Sequence, residues 1–447
     1  MRPPVSTALV PLEEVLARRQ RDFYAGAGQD AFAGAVPFRL STSRAMARLV
    51  VQAARAFART RGMPRVRIVD VGAGSGRLAY HLRCLAPDVT VVLTDASAAM
   101  CAALRAHPQL EGTTVFHLPA DALGPALVCA DDEALVVVGT YLLDTLPHAL
   151  LQAPDGQRAF VDGLGTLTFH ACPTDAFTRA WLARLKTGRA FLPVGGFRFL
   201  SALEHAVPAP TLVLLADKMA TSLSAAREPQ SPRIVRHGGG VSVLVNLDAL
   251  RCWLGWRGLM VAPGGSDDFV VAATVVGGRV AVPDLFEGVV HPLDAQARVT
   301  SLRPRPDVAE GVLGLEPDGD ALLELADALV ARVERGLPDS VRAALGAWLL
   351  DAARGAFFLP ADDVAFHAGR VLHRLGFSGA AVACLSESIH KHGDAVVTRL
   401  FRAQALLALG AREQALVDLD AALVRDPGNV QALRLRAAAA TKAPSST

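Results

Sequence analysis

Up to about residue 280 the apolar residues of this chain gather in short runs, divided by polar stretches rich in glycine or proline. Val66, Ile68, Val69 and Val71, around Arg67, read as a strand buried on both faces, because β-branched residues in an unbroken run suit a covered parallel sheet. Further runs at 89–94, 113–118, 134–139 and 212–216 read the same way, and residues 77–86 between the first two strands form a helical stretch. Strands alternating with helices predict an α/β fold with a parallel sheet. Leu259 to Ala262 and Phe269 to Val276, parted by Pro263-Gly264-Gly265-Ser266-Asp267, read as a closing hairpin. Arg44 to Phe57 is an amphipathic helix behind a Ser41-Thr42-Ser43 cap, and Asn246 to Leu254 is helical. From Asp320 onward the chain is rich in Ala, Leu and Arg and helical throughout.

The first strand runs into Asp70-Val71-Gly72-Ala73-Gly74-Ser75-Gly76, and Arg77 opens a helix. A strand that enters a helix through glycines brings bare backbone close to a nucleotide-like ligand. The spacing D-x-G-x-G-x-G differs from the G-x-G-x-x-G of a dinucleotide fold. A carboxylate ahead of the first glycine repels a pyrophosphate and suits the ammonium of an amino acid. Asp95 ends the second strand, 25 residues beyond Asp70, where an acid can take both hydroxyls of a ribose. Asp121 and Ala122 follow the third strand. Taken singly, Asp95 equally fits a cap on the helix starting at Ser97, and Asp121 a turn.

The glycine loop with acids after strands one, two and three resembles class I S-adenosylmethionine (SAM) methyltransferases, whose sheet has seven strands. That resemblance implies SAM as cofactor, with Asp70, Gly72, Gly74 and Gly76 at its methionine end, Asp95 on the ribose, and Asp121 and Ala122 at the adenine. Between strands four and five lie about 60 residues, and long insertions in compact folds tend to be functional. Here, at about residues 148–210, the insertion is expected on the substrate side.

Composition narrows the class. A chain of 447 residues with 51% apolar content has room for two or three domains with real cores. A net charge of +2 gives no attraction to nucleic acid. Lys186, Lys218, Lys391 and Lys442 are the only lysines among 45 basic residues, a codon bias rather than a phosphate-binding device. The six cysteines never form C-x-x-C, so neither zinc nor a disulfide framework is expected, and a reducing cytoplasm fits. No run approaches the roughly 20 apolar residues that span a bilayer.

Leu143-Asp144-Thr145-Leu146-Pro147, the alternation around Gln157 to Val161, Gly163 to Phe169, Leu192-Pro193-Val194-Gly195-Gly196 and His237 come in an order that resembles the MidA-like methyltransferases. That family includes the mitochondrial complex I assembly enzyme, and the likeness covers about residues 20–280. Asp144 and Pro147 match its E-x-x-D-A-L-P segment. Its Asn-Glu pair is replaced by Thr140-Tyr141, and Val36-Pro37-Phe38 lacks the acid of its G-D-F segment. Methylating a guanidinium calls for a carboxylate, so arginine methylation does not simply carry over with the resemblance, and whether it is retained stays open. Tyr141 can steer an oxygen or nitrogen nucleophile, or simply pack under the insertion with its hydroxyl on a backbone group. His237, ahead of three glycines, is a candidate base, or an exposed loop histidine. Tyr141, Asp144 and His237 are thus the catalytic candidates.

Residues 282–318 read as a proline-rich, irregular linker between a methyltransferase domain (1–281) and a helical domain (319–447). Within the latter, Gly369, Ala403 and Ala437, Gly376 and Gly410, Ala381 and Ala415, and Leu385 and Leu419 recur at a 34-residue offset. This resembles the tetratricopeptide (TPR) repeat, with repeats at 362–395 and 396–429 and a third helix at 430–440; ordinary Ala-rich helices are the other reading. TPR surfaces usually bind proteins, which implies a protein substrate or partner. Three functions stay open on sequence: a protein methyltransferase, a small-molecule or natural-product methyltransferase, and a non-catalytic TPR adaptor.

Overall fold

The computed structural model describes residues 9–32, 39–162, 165–282 and 285–441, so Val36, Pro37, Phe38, Gly163 and Leu164 lie outside the described residues. Contacts divide the chain into two compact units, Met1–Ala295 and Gln296–Thr447.

The first unit is organised by a seven-stranded sheet: β1 (Arg65–Val71), β2 (Thr90–Asp95), β3 (Thr114–His117), β4 (Glu133–Thr140), β5 (Thr211–Asp217), β6 (Met260–Val261) and β7 (Val270–Val276). The spatial order is β6-β7-β5-β4-β1-β2-β3. The pairings from β5 through β4, β1 and β2 to β3 are parallel, while β7 runs antiparallel to both β5 and β6. This is the α/β sheet that the class I resemblance implies. Its central strands are buried on both faces: Ile68, Val69, Val136, Val137 and Val213 expose no surface. That is why they read as unbroken apolar runs. The helix Arg44–Thr60 buries Met46, Leu49, Val50, Ala53, Ala54 and Phe57 along one face, and the Ser43 hydroxyl caps it by accepting from Met46 N–H at 3.1 Å.

The insertion folds as a second layer rather than a loop. Ala149–Ala153, Gln157–Val161, Leu167–His170 and Gly188–Leu192 pair antiparallel, with Val10–Pro11 and Arg227–Glu228 completing a six-stranded sheet. Trp181 on the intervening helix is buried, and its indole N–H donates to Asp248 Oδ2 at 3.1 Å. The helix Val194–Ala206 follows and returns the chain to β5.

The reading of 282–318 as irregular is corrected in part. Pro292–Leu302 and Val308–Val312 are helices, and Val308, Ala309 and Val312 are fully buried with Leu325 and Leu345. Pro292 begins a helix, where its missing N–H costs nothing, and Pro304 and Pro306 fall between the two helices. Proline density alone therefore misled. Beyond, α-helical pairs Val364–Arg374 with Ser378–His392 and Val396–Ala408 with Arg412–Arg425 occupy the two 34-residue windows, and Val430–Thr441 follows. Gly369 lies where the first pair crosses: a Cβ there would meet Leu385 Cγ at 2.6 Å. Gly369→Val is expected to destabilise the helical unit by about 1–3 kcal/mol through overpacking, read as a lowered melting temperature in calorimetry; an unchanged melt would refute the close crossing.

Candidate functional site

A cavity of about 560 Å³ opens at the C-terminal ends of β1, β2 and β4, within the range of small-molecule sites. Its floor is the glycine loop. Gly72 and Gly74 line it at φ +70° and +53°, a region that favours glycine. The N–H groups of Gly72 and Ala73 donate to Thr94 O at 2.9 and 3.0 Å, which ties the loop to the tip of β2. A Cβ at Gly74 would meet the ring of Phe32 at 2.7 Å, so that aromatic covers the loop from the N-terminal side.

Asp95 lines the cavity with both carboxylate oxygens on backbone donors: Oδ1 accepts from Ser97 N–H at 2.8 Å and Oδ2 from Gly74 N–H at 3.2 Å. The helix cap itself is Ser97, whose hydroxyl accepts from Met100 N–H at 3.3 Å, so Asp95 holds the capping residue rather than capping the helix, and it also faces the cavity. Burial raises its pKa, against the lowering effect of those N–H groups. Asp121 lines the cavity and is exposed, in a turn closed by Ala122 N–H on Pro119 O at 3.1 Å.

Three expected positions sit elsewhere. Gly76 does not line the cavity; at φ +78° it lets Leu104 and Leu110 pack where its Cβ would be. Ala122 is beside the lining residues rather than among them. Asp70 is 1% exposed beneath the loop, its Oδ2 without a hydrogen-bond partner. Burial, then the neighbouring Asp95 charge, push its pKa up to about 7.

A smaller recess adjoins the cavity, sharing Gln20, Tyr24, Tyr141 and Thr145 and reaching Asp144, Lys218, His237 and Ser242. The three catalytic candidates thus meet in one place. Tyr141 has φ +46°, unusual for a residue with a Cβ, and its N–H donates to Ala216 O at 2.8 Å. Its ring lies edge-on to Phe269 at 5.7 Å with Lys218 Nζ 5.9 Å from its centre. Its ring thus packs against Phe269 and beside Lys218, outside the insertion, and among the described residues its hydroxyl forms no hydrogen bond to a backbone group. Burial and the charges of Asp217 and Asp144 raise its pKa.

Asp144 is held by Asp217, whose Oδ2 accepts from Asp144 N–H at 3.1 Å while Oδ1 accepts from Lys218 N–H at 2.9 Å. Burial and then the Asp217 carboxylate lift Asp144 well above the usual carboxylate range, and its Oδ1 has no hydrogen-bond partner. The Ser242 hydroxyl bonds to the Asp144 side chain and lies 3.2 Å from His237 Nε2. His237 is on a strand, Ile234–His237, paired with Gly240–Val243, rather than in a free loop. Burial and the Lys218 charge lower its pKa.

Sequence reasoning missed Tyr24, Asp217, Lys218 and Ser242 in the recess. The signal for two of them was present: Asp217-Lys218 ends β5, and ligands of open parallel sheets bind outside such strand ends. Tyr24 and Ser242 reach the site only through tertiary packing.

No protein-family model and no curated protein matches the chain. Among solved structures it resembles an uncharacterised protein from Burkholderia thailandensis, at 15% identity and a TM-score of 0.42 over 63% of this chain and 91% of that one. A second protein from Burkholderia thailandensis, bound to S-adenosyl-homocysteine, matches at 16% identity and 0.45 over the same shares. The TPR protein YrrB, described as having an unusual peptide-binding site, matches at 17% identity and 0.25 over 33% of this chain and 73% of that one. Among the described residues there is no cluster of metal-ligating side chains and no helix long and apolar enough to cross a membrane.

The raised pKa of Asp70 has a thermodynamic sign. Between its unfolded value near 4 and about 7 the folded chain holds a proton that the unfolded chain has lost, so its contribution to stability falls as pH rises through that window. Asp70→Asn is expected to match the wild type at pH 4 and to become the more stable by on the order of 2 kcal/mol at pH 8. Chemical denaturation at the two pH values measures this; parallel pH profiles would contradict it.

Proposed function

We propose that the chain is a SAM-dependent methyltransferase of the MidA-like type, acting on a protein substrate docked by its C-terminal helices. The observation that carries the reading is the junction of the glycine-loop cavity with the recess of Tyr141, Asp144 and His237. The donor set suits the cofactor. Gly72 and Gly74 leave room for its methionine end, Asp95 keeps lone pairs for two ribose hydroxyls, and Asp121 stands at the adenine end. Asp70 acts from beneath the loop, and Gly76 and Ala122 support the backbone around it.

The cofactor supplies a methyl group already activated by its sulfonium. What remains for the chain is to align the acceptor and exclude water. Tyr141 forms the wall between cavity and recess, where an oxygen or nitrogen acceptor is steered. His237, kept neutral by burial and by Lys218, takes a proton from an acceptor that must lose one, with Ser242 and Asp144 behind it. The two helical pairs that fill the 34-residue windows support a TPR-type docking surface, and six unpaired cysteines support a reducing, cytoplasmic setting.

Asp95→Ala removes the carboxylate that is to hold the ribose and is expected to weaken S-adenosyl-homocysteine binding by about 1.5–3 kcal/mol in calorimetry. Wild-type affinity in that variant would reject the site. A fragment of residues 1–295 is expected to bind the cofactor as the full chain does and to lose at least tenfold in methyl transfer to the native protein acceptor. Undiminished transfer would favour the small-molecule methyltransferase, and absence of cofactor binding in the full chain would favour the adaptor.

A further inference from the structure

Resting on the methyltransferase reading, we propose that the methyl acceptor carries a carboxylate, bound by Arg21 and Arg198 in the wall of the cavity. Arg21 lies on the helix Leu12–Ala27, whose Ala17, Gln20, Tyr24 and Ala25 also line the cavity. The spacing of three and four residues puts one helix face on the cavity, with Arg21 within it. Arg198 shares a face of the helix Val194–Ala206 with Gly195 and Phe199 in the same way.

Many arginines among the described residues are matched by a carboxylate. Arg184 pairs with Asp248, Arg257 with Glu204, and Arg402 with Asp418. Arg21 and Arg198 pair with no carboxylate among the described residues. The acids lining the cavity are Asp95 and Asp121, both assigned to the cofactor. In the recess, Lys218 Nζ likewise has no ion-pair partner among the described residues, and Asp144, its neighbour, is pushed by burial toward its neutral form. The part of the site left for the acceptor is therefore net positive.

Planar guanidinium groups bind carboxylates bidentately, and both arginines are exposed enough to meet an incoming ligand. Tyr24, Phe32 and Phe199 line the same cavity, and aromatic walls suit a flat apolar body. This chemistry is the reverse of a guanidinium acceptor, consistent with Thr140-Tyr141 offering no carboxylate. The bound carboxylate comes from a free acid or from an acidic residue of a protein, and the two are separable.

The test is calorimetry on the full chain loaded with S-adenosyl-homocysteine. One arm titrates benzoate against benzamide; the other titrates acetyl-Glu-Tyr-Glu-amide against acetyl-Gln-Tyr-Gln-amide. In at least one arm the anionic ligand is expected to bind at least tenfold more tightly than its neutral counterpart, and the responding arm identifies the source of the carboxylate. R21Q/R198Q is expected to abolish that preference while holding S-adenosyl-homocysteine within twofold. R21E/R198E is expected to turn it toward benzylammonium. Equal binding in both arms, or a preference that survives in R21Q/R198Q, overturns the proposal. If the wild type fails to bind S-adenosyl-homocysteine, the methyltransferase reading fails, and the benzoate preference is then read on the unloaded chain.

Discussion

Two backbone donors, those of Gly72 and Ala73, end on one acceptor, the Thr94 carbonyl at the tip of β2. Parallel strands leave such carbonyls free at their C-terminal ends, and here the loop after β1 uses the one next door. The same device recurs across the sheet. Tyr141 N–H, in the turn after β4, ends on Ala216 O of β5, and Asp144 N–H ends on the side chain of Asp217. Each of these loops is thus tied to the end of its neighbouring strand, so the register of the sheet fixes the floor of the cavity and the turn of Tyr141 and Asp144 together.

These ties explain the cluster of buried acids. Asp70, Asp144 and Asp217 all sit where desolvation disfavours a charge, and each has its pKa raised by burial above all else. Asp217 offsets part of that cost by accepting from the N–H groups of Asp144 and Lys218. Asp70 has no such help for its Oδ2. The acid before the first glycine is therefore a buried group under the loop rather than part of the cavity's lining.

The strands and the glycine loop were legible because they are local. A run such as Ile68-Val69 buried on both faces has to be apolar throughout, and a loop with several left-handed residues favours glycine. Asp95 was legible for the same reason, standing at a strand tip. Gly76 and Ala122 stand beside the cavity rather than in its lining, since spacing reports the loop and not which atoms face the cavity. Tyr24 and Ser242 were invisible because helix Leu12–Ala27 and strand Gly240–Val243 reach the recess from more than 100 residues apart in sequence, an arrangement set by packing. The helices at 292–302 and 308–312 were hidden by the prolines that delimit them. The 34-residue repeat was plain because Gly369, Ala403 and Ala415 must be small where helices cross.

Tyr141 carries a different kind of consequence. At φ +46° its backbone occupies a region that costs an ordinary residue about 1–2 kcal/mol, and glycine far less. The chain keeps a bulky ring there, against Phe269 and beside Lys218. A heat selection would be drawn to glycine or asparagine at that position, gaining robustness while removing the ring from the place where cavity and recess meet. Thermal tolerance and the shape of that junction are thereby set against each other at a single peptide unit.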